Sequence, residues 1–267
     1  MTSIAQLYEL TKERFCTKAT EALCPITRAA LRTMPAYEFR YQLHISHKFR
    51  YVYVGNPKTG GSTLKSALLD LEIRDTNIRL NTLEQQTFNS DLSPLKSIPP
   101  FWPQRTLSDL LTSGYRFITF VRNPYTRLIS CYINKFVNRS DDVHKTFFNH
   151  FGKPPIDFTD FILKVCTQSD YEMNPHWRPQ HKQIHYHEIP YIHIGRFDNF
   201  VADFRRTFEI LGIKNQDIPN SRHLNKTDES QKHLAVYSKQ TVHMVYERYR
   251  SDFELFGYSQ APDDIQE

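Results

Sequence analysis

The strongest constraint on this chain is a nine-residue turn, Gly55-Asn-Pro-Lys-Thr-Gly-Gly-Ser-Thr63. Glycine is scarce, 8 in 267 residues, less than half of ordinary usage near 7%. Three of the eight, Gly55, Gly60 and Gly61, fall within seven positions. Ahead of them Arg50-Tyr-Val-Tyr-Val54 is aromatic and β-branched, which predicts a strand. Behind them Leu64, Ala67, Leu68 and Leu71 recur at i, i+3, i+4 and i+7, which predicts a helix over 62–72. A strand, a glycine-rich loop and a helix start in this order place backbone N–H groups and the positive end of the helix dipole at one point. That point is an anion site.

The rest of the chain repeats the alternation. Tyr115–Val121 and Ile189–Ile194 read as further strands, each followed by a helix. The first of these helices opens at Pro124 and runs to about Asn138; the second is capped by Asp198 and runs to about Leu211. Helices are also expected over 1–35 with a break near Pro25, near 106–112, over 157–168, and from about Glu229 to Arg250. Strands alternating with helices predict an α/β fold with a central, mainly parallel sheet. Hydrophobic content of 39% and aromatic content of 13% exclude a disordered chain. No apolar run reaches the ~18 residues of a membrane helix, and the first residues lack the pattern of a secretory signal. Cys16, Cys24, Cys131 and Cys166 show no Cys-x-x-Cys spacing, which argues against a zinc knuckle or a disulfide framework. A formal charge of +5 without a basic cluster argues against a nucleic-acid partner.

The loop resembles a Walker A sequence but places Gly61 where that motif needs its lysine; the lysine stands earlier, at Lys58. A second motif, Phe120-Val-Arg-Asn-Pro-Tyr-Thr-Arg-Leu-Ile-Ser-Cys-Tyr132, delivers Arg122 to the end of a strand, with Arg127 and Ser130 on the helix that follows. Ligands of open α/β sheets bind at strand carboxyl ends. Arg122 and Ser130 suit a second phosphate there. Two phosphate-type sites on adjacent strand ends imply a nucleotide phosphorylated at two places.

Pro57-Lys-Thr-Gly-Gly-Ser-Thr63 resembles the 5′-phosphosulfate loop of sulfotransferases, and Val121–Tyr132 resembles their 3′-phosphate motif. Three further segments resemble the carbohydrate sulfotransferase family that includes chondroitin and dermatan 4-O-sulfotransferases and the HNK-1 sulfotransferase. These are Asn174-Pro-His-Trp-Arg-Pro-Gln180, Ile194-Gly-Arg-Phe-Asp198 and Tyr249–Tyr258. The resemblance implies a P-loop-like three-layer sandwich, with a catalytic core over 49–258 and a helical extension over 1–48 within one domain. It implies an enzyme that moves a sulfuryl group from 3′-phosphoadenosine 5′-phosphosulfate (PAPS) to a carbohydrate hydroxyl, leaving 3′,5′-adenosine bisphosphate. Lys58, Thr59, Gly60, Gly61, Ser62 and Thr63 would cradle the 5′-phosphosulfate, while Arg122 and Ser130 would hold the 3′-phosphate. Lys58 would also stabilise charge on the leaving phosphate oxygen. The transferred group carries one net charge, so no metal clamp is expected. The alternatives are a non-catalytic nucleotide-binding module and a P-loop kinase.

A general base must take the acceptor proton. Golgi relatives carry a His in an Asn-Thr-x-His context. This chain has Asn81-Thr-Leu-Glu84 there, which makes Glu84 the first candidate. His176 is the second; it opens a stretch in which His176, His181, His185, His187 and His193 crowd together. His176, Trp177 and Arg178 are expected to face an anionic sugar, with zinc binding or plain packing as other uses of the histidines. The loop Asn225-Lys-Thr227 is a weak candidate for closing over the nucleotide. Golgi relatives also carry two cysteines after the His-Trp pair, where this chain has Ile184 and His187. That favours a soluble, cytoplasmic, bacterial-type enzyme over a membrane-associated one.

Overall fold

The computed structural model describes residues 25–77, 93–97, 103–137, 151, 153, 155–219 and 234–260. Four strands form one sheet in the order β1 (Leu43–Ser46), β2 (Tyr51–Val54), β3 (Arg116–Val121) and β4 (Tyr191–Arg196). β2, β3 and β4 are parallel, and β1 is an antiparallel edge. The sheet is thus mainly parallel, as expected. β1 is the departure, because 43–46 was expected to belong to a helical extension. Leu-His-Ile-Ser is too short for periodicity to declare itself. Its pairing, His44 opposite Tyr53 and Leu43 opposite Val54, makes it a strand.

Alternation along the strands divides the core into two layers. Val52, Val54, Phe117 and Val121 join a cluster with the helices α1 (Pro25–Thr33), α2 (Ala36–Tyr41), α5 (Pro124–Tyr132), α6 (Phe158–Thr167) and α9 (Lys239–Phe256). Tyr51, Tyr53, Ile118 and Phe120 join the other, with α3 (Gly61–Ile73) and α8 (Phe200–Ile210). Helices therefore cover both faces of the sheet, giving three layers. α4 (Pro103–Thr112) adds Leu107 and Leu110 to the first cluster, and α7 (Gln180–Gln183) is a single turn.

Local chemistry sets the element ends. Pro124 opens α5, and the Asn123 side chain accepts from Tyr125 N–H. Asp157 caps α6 by accepting from Asp160 N–H. Ser238 and Thr241 form a reciprocal capping box at α9, whose far end stops at Gly257 in the left-handed region. α5 continues as a π-helix over Ile133–Val137, a form that tends to occur at functional sites. After β4 the chain makes a 3-10 turn, Phe197–Asn199, before α8. Asp198 therefore does not cap α8 as expected. It lies inside that turn, and Asn199 at the cap makes no side-chain bond.

Candidate active site

β2 ends under the loop. Thr119 Oγ1 on β3 donates to Val54 O at 2.7 Å, and Gly55 N–H donates to Gln42 O at 2.7 Å. The loop therefore leaves from a fixed point. Asn56 is buried, and its Nδ2 donates to Phe120 O at 2.9 Å and to Gln180 Oε1 at 3.1 Å. Thr59 Oγ1 donates back to Asn56 O at 2.7 Å. The Thr59 side chain thus faces inward and shapes the loop.

The glycines answer to what lies beneath the loop. Gly60 sits at φ 79°, and a Cβ there would stand 2.5 Å from the Phe200 ring. A Cβ on Gly61 would stand 3.0 Å from the Tyr53 hydroxyl. The close approach foreshadowed by glycine clustering is thus to two aromatic side chains of the protein itself. Lys58 is also left-handed, at φ 69°, which costs a residue with a Cβ roughly 1–2 kcal/mol. Gly60 caps α3, and no acid lies in the first turn. The positive end of α3 suits an anion.

Arg122 leaves β3 beside this loop. Gln180 clamps its backbone on both sides: Oε1 accepts from Arg122 N–H at 2.9 Å, and Nε2 donates to Arg122 O at 2.7 Å. The guanidinium donates from Nε to Thr126 Oγ1 at 3.1 Å and from one Nη to Lys58 O at 3.1 Å. Arg127 is also buried and binds carbonyls: Pro57 at 3.1 Å, Pro175 at 2.9 Å and Arg178 at 2.8 Å. It ties the loop to the segment that carries His176. Asp252 on α9 closes the chain of contacts, accepting from Gln180 N–H at 2.6 Å, His181 N–H at 2.9 Å and His181 Nδ1 at 2.6 Å.

Burial pulls the Lys58 ammonium down to about 8; Lys135, Arg122 and Arg127 push it the same way, against the nearby Cys131. Burial raises the Cys131 thiol to about 11, although Lys58, Arg127 and Lys135 oppose that shift. These cations repel one another, and a bound polyanion would relieve the repulsion. Ser62 is exposed at the first turn of α3, with Thr63 half-buried behind it. Ser130 is half-buried in the last turn of α5, where its carbonyl accepts from Ile133 N–H. The helix start, the cations Lys58, Arg122 and Arg127, and the hydroxyls fit a phosphorylated, sulfated nucleotide.

His176 is half-buried, and Asn174 Oδ1 accepts from both its backbone N–H (3.0 Å) and its Nδ1 (2.7 Å). That contact fixes the orientation of the ring. Its neighbours do not face a sugar as expected. Trp177 is 0% exposed, packs on Phe136, Phe151 and Phe161, and donates to Gln168 Oε1 at 2.8 Å. Arg178 is also 0% exposed and pairs with Glu38 at 2.9 Å. The other histidines take different partners: His181 holds Asp252, and burial takes His185 down to about 3 beside Gln42. Among the described residues no three His, Cys, Asp or Glu side chains gather as a metal site would need.

Glu84 and the loop Asn225–Thr227 lie outside the described residues. Asn56, Gln180 and Asp252 were not among the expected site residues. All three lie in segments that stand out in the sequence, but the roles of Gln180 and Asp252 arise only when those distant segments meet.

The model of the sulfotransferase family matches residues 41–259. Carbohydrate sulfotransferase 12 of Mus musculus is 23% identical, aligning with 91% of this chain and 66% of its own length. Its Xenopus laevis counterpart is 26% identical over 69% of this chain and 48% of the relative. Carbohydrate sulfotransferase 14 of Danio rerio is 25% identical over 79% of this chain and 60% of the relative. The chain thus spans about half to two thirds of the length of these relatives. No solved structure matches it. Among the described residues no helix is long and apolar enough to cross a membrane. With the family model covering most of its length, including both phosphate-type motifs, the chain belongs to the sulfotransferase family.

Proposed function

We propose that this protein transfers a sulfuryl group from PAPS to a hydroxyl of a carbohydrate. The observation that carries the reading is the glycine-capped start of α3 beside the half-buried Lys58 and the buried Arg122, tied together by the Arg122–Lys58 carbonyl bond. Names of similar proteins, all carbohydrate sulfotransferases, support the acceptor class.

In this reading the backbone from Lys58 to Thr63 and the Ser62 and Thr63 hydroxyls bind the 5′ end of the donor. Arg122 and Ser130 bind its 3′-phosphate. When bound, the donor supplies an activated sulfur whose bond to the 5′-phosphate oxygen can break. Lys58 holds a positive charge against that oxygen as it receives the bonding electrons. A general base takes the proton of the acceptor hydroxyl as its oxygen forms the new bond to sulfur on the opposite side. Glu84 and His176 are the two candidates, and the Asn174 contact that orients the His176 ring supports the second. We place the enzyme in the cytoplasm, in a soluble form. The half-buried Cys166 and buried Cys131 are free thiols, in keeping with a reducing compartment.

Titration calorimetry with 3′,5′-adenosine bisphosphate in the presence of EDTA is the direct test. Tight binding without metal is expected; binding of Mg²⁺-ATP alone would replace this reading with a kinase. Incubation with labelled PAPS and a panel of glycans should then give labelled product. For the base, Glu84→Gln and His176→Ala are compared under donor saturation. The variant of the true base loses about 10²–10⁴ in kcat, and a normal rate in both removes general-base catalysis by either residue.

A further inference from the structure

The passage from β4 through the 3-10 turn into α8 places one aromatic residue against each phosphate-type motif. Phe200 lies where a side chain on Gly60 would go. Phe197 lies under Arg122, with the guanidinium carbon 4.3 Å from its ring centroid. The two rings touch each other, with centroids 5.5 Å apart, and Phe200 continues onto Phe120 and Phe204. This aromatic row runs from the sheet to the guanidinium. Contacts that hold the Arg122 side chain include the Thr126 hydroxyl, the Lys58 carbonyl and the Phe197 ring face. A ring stacked under a planar guanidinium fixes the plane in which its N–H groups donate.

We propose that Phe197 is a positioning residue that fixes the plane of Arg122 and so sets the protein's preference for a nucleotide bearing a 3′-phosphate. The proposal rests on the reading of Arg122 as the 3′-phosphate ligand. Because Phe197 opens the 3-10 turn and Phe200 opens α8 three residues later, the same device also sets the spacing between Arg122 and the Gly60 loop. A nucleotide with a phosphate at only one end would gain little from that spacing.

The experiment compares calorimetric affinities for 3′,5′-adenosine bisphosphate and for 5′-AMP. In the wild type the bisphosphate binds more tightly, and Arg122→Ala removes most of that ratio. Failure of this first step overturns the Arg122 reading itself. Phe197→Leu keeps the bulk and removes the π face; it should cut the ratio about tenfold, equal to about 1.4 kcal/mol, while AMP affinity changes little. Phe197→Tyr should restore the ratio. In an Arg122→Lys background, Phe197→Leu should have a much smaller effect, because the planar partner is gone. An unchanged ratio in Phe197→Leu, with Arg122→Ala effective, overturns the role of Phe197. Equal losses for both nucleotides in Phe197→Leu also overturn it, since they mark a purely structural residue. If Phe197→Leu fails to fold, Phe197→Met takes its place under the same criteria.

Discussion

The phosphate loop and the histidine-rich segment 174–193 stand out almost equally in the sequence, yet the structure treats their polar groups in opposite ways. Around the loop, side chains such as Thr59 and Asn56 turn inward, while the helix end has no side-chain cap. Along 174–193, Trp177, Arg178 and His185 are buried, and each engages other parts of the protein. Conspicuous chemistry in a sequence marks a site only where the fold leaves that chemistry unanswered. Gly60, by its backbone, points to such a place; Trp177, by its size, points to a core.

The sharpest way to break that contrast is to remove Lys58. Lys58→Ala should lower kcat about 10²–10³-fold in a labelled-sulfate transfer assay at saturating PAPS, with little change in melting temperature. A loss below about tenfold would detach the loop from the chemistry. Trp177→Ala should act in the other currency, costing about 3–5 kcal/mol in urea unfolding. A stable variant with a raised acceptor KM would return Trp177 to the acceptor surface. Asp252→Asn joins the two regions. It weakens charge-assisted bonds to Gln180 and His181, so about 2 kcal/mol of stability should go. The donor KM should rise with it, through Gln180 and Arg122.

The smallest effect concerns pH. Lys58 sits near 8 in the folded protein, below its unfolded value, so between about 8 and 10.5 the unfolded chain binds more protons. Without ligand, the burial penalty on Lys58 is full below 8, and stability from this group rises as pH climbs through that window. Nucleotide affinity moves the other way, falling about tenfold from pH 7 to pH 9 as the charge is lost. A flat calorimetric profile over that range in the wild type would contradict it, and Lys58→Ala should flatten it.

The main architecture was legible because its signals are local. The strand, glycine loop and amphipathic α3 each declare themselves within a dozen residues, and Pro124 marks α5. β1 was not legible, since four residues acquire strand character only by pairing with β2. Asp198 has the right chemistry for a cap, but the 3-10 turn moves the start of α8 past it. Arg178 has the chemistry of a ligand for acidic sugars, but Glu38 supplies the acid. No inspection of either segment alone reveals that pairing.

Asp252 carries a consequence for the order in which this protein is made. The loop and Arg122 leave the ribosome well before the carboxylate that holds Gln180 and, through it, the Arg122 backbone. A nascent chain therefore displays both phosphate motifs before it has the clamp that unites them. A chain stopped after Ser251 would retain every proposed phosphate ligand, and equilibrium dialysis against labelled bisphosphate should find it nearly empty.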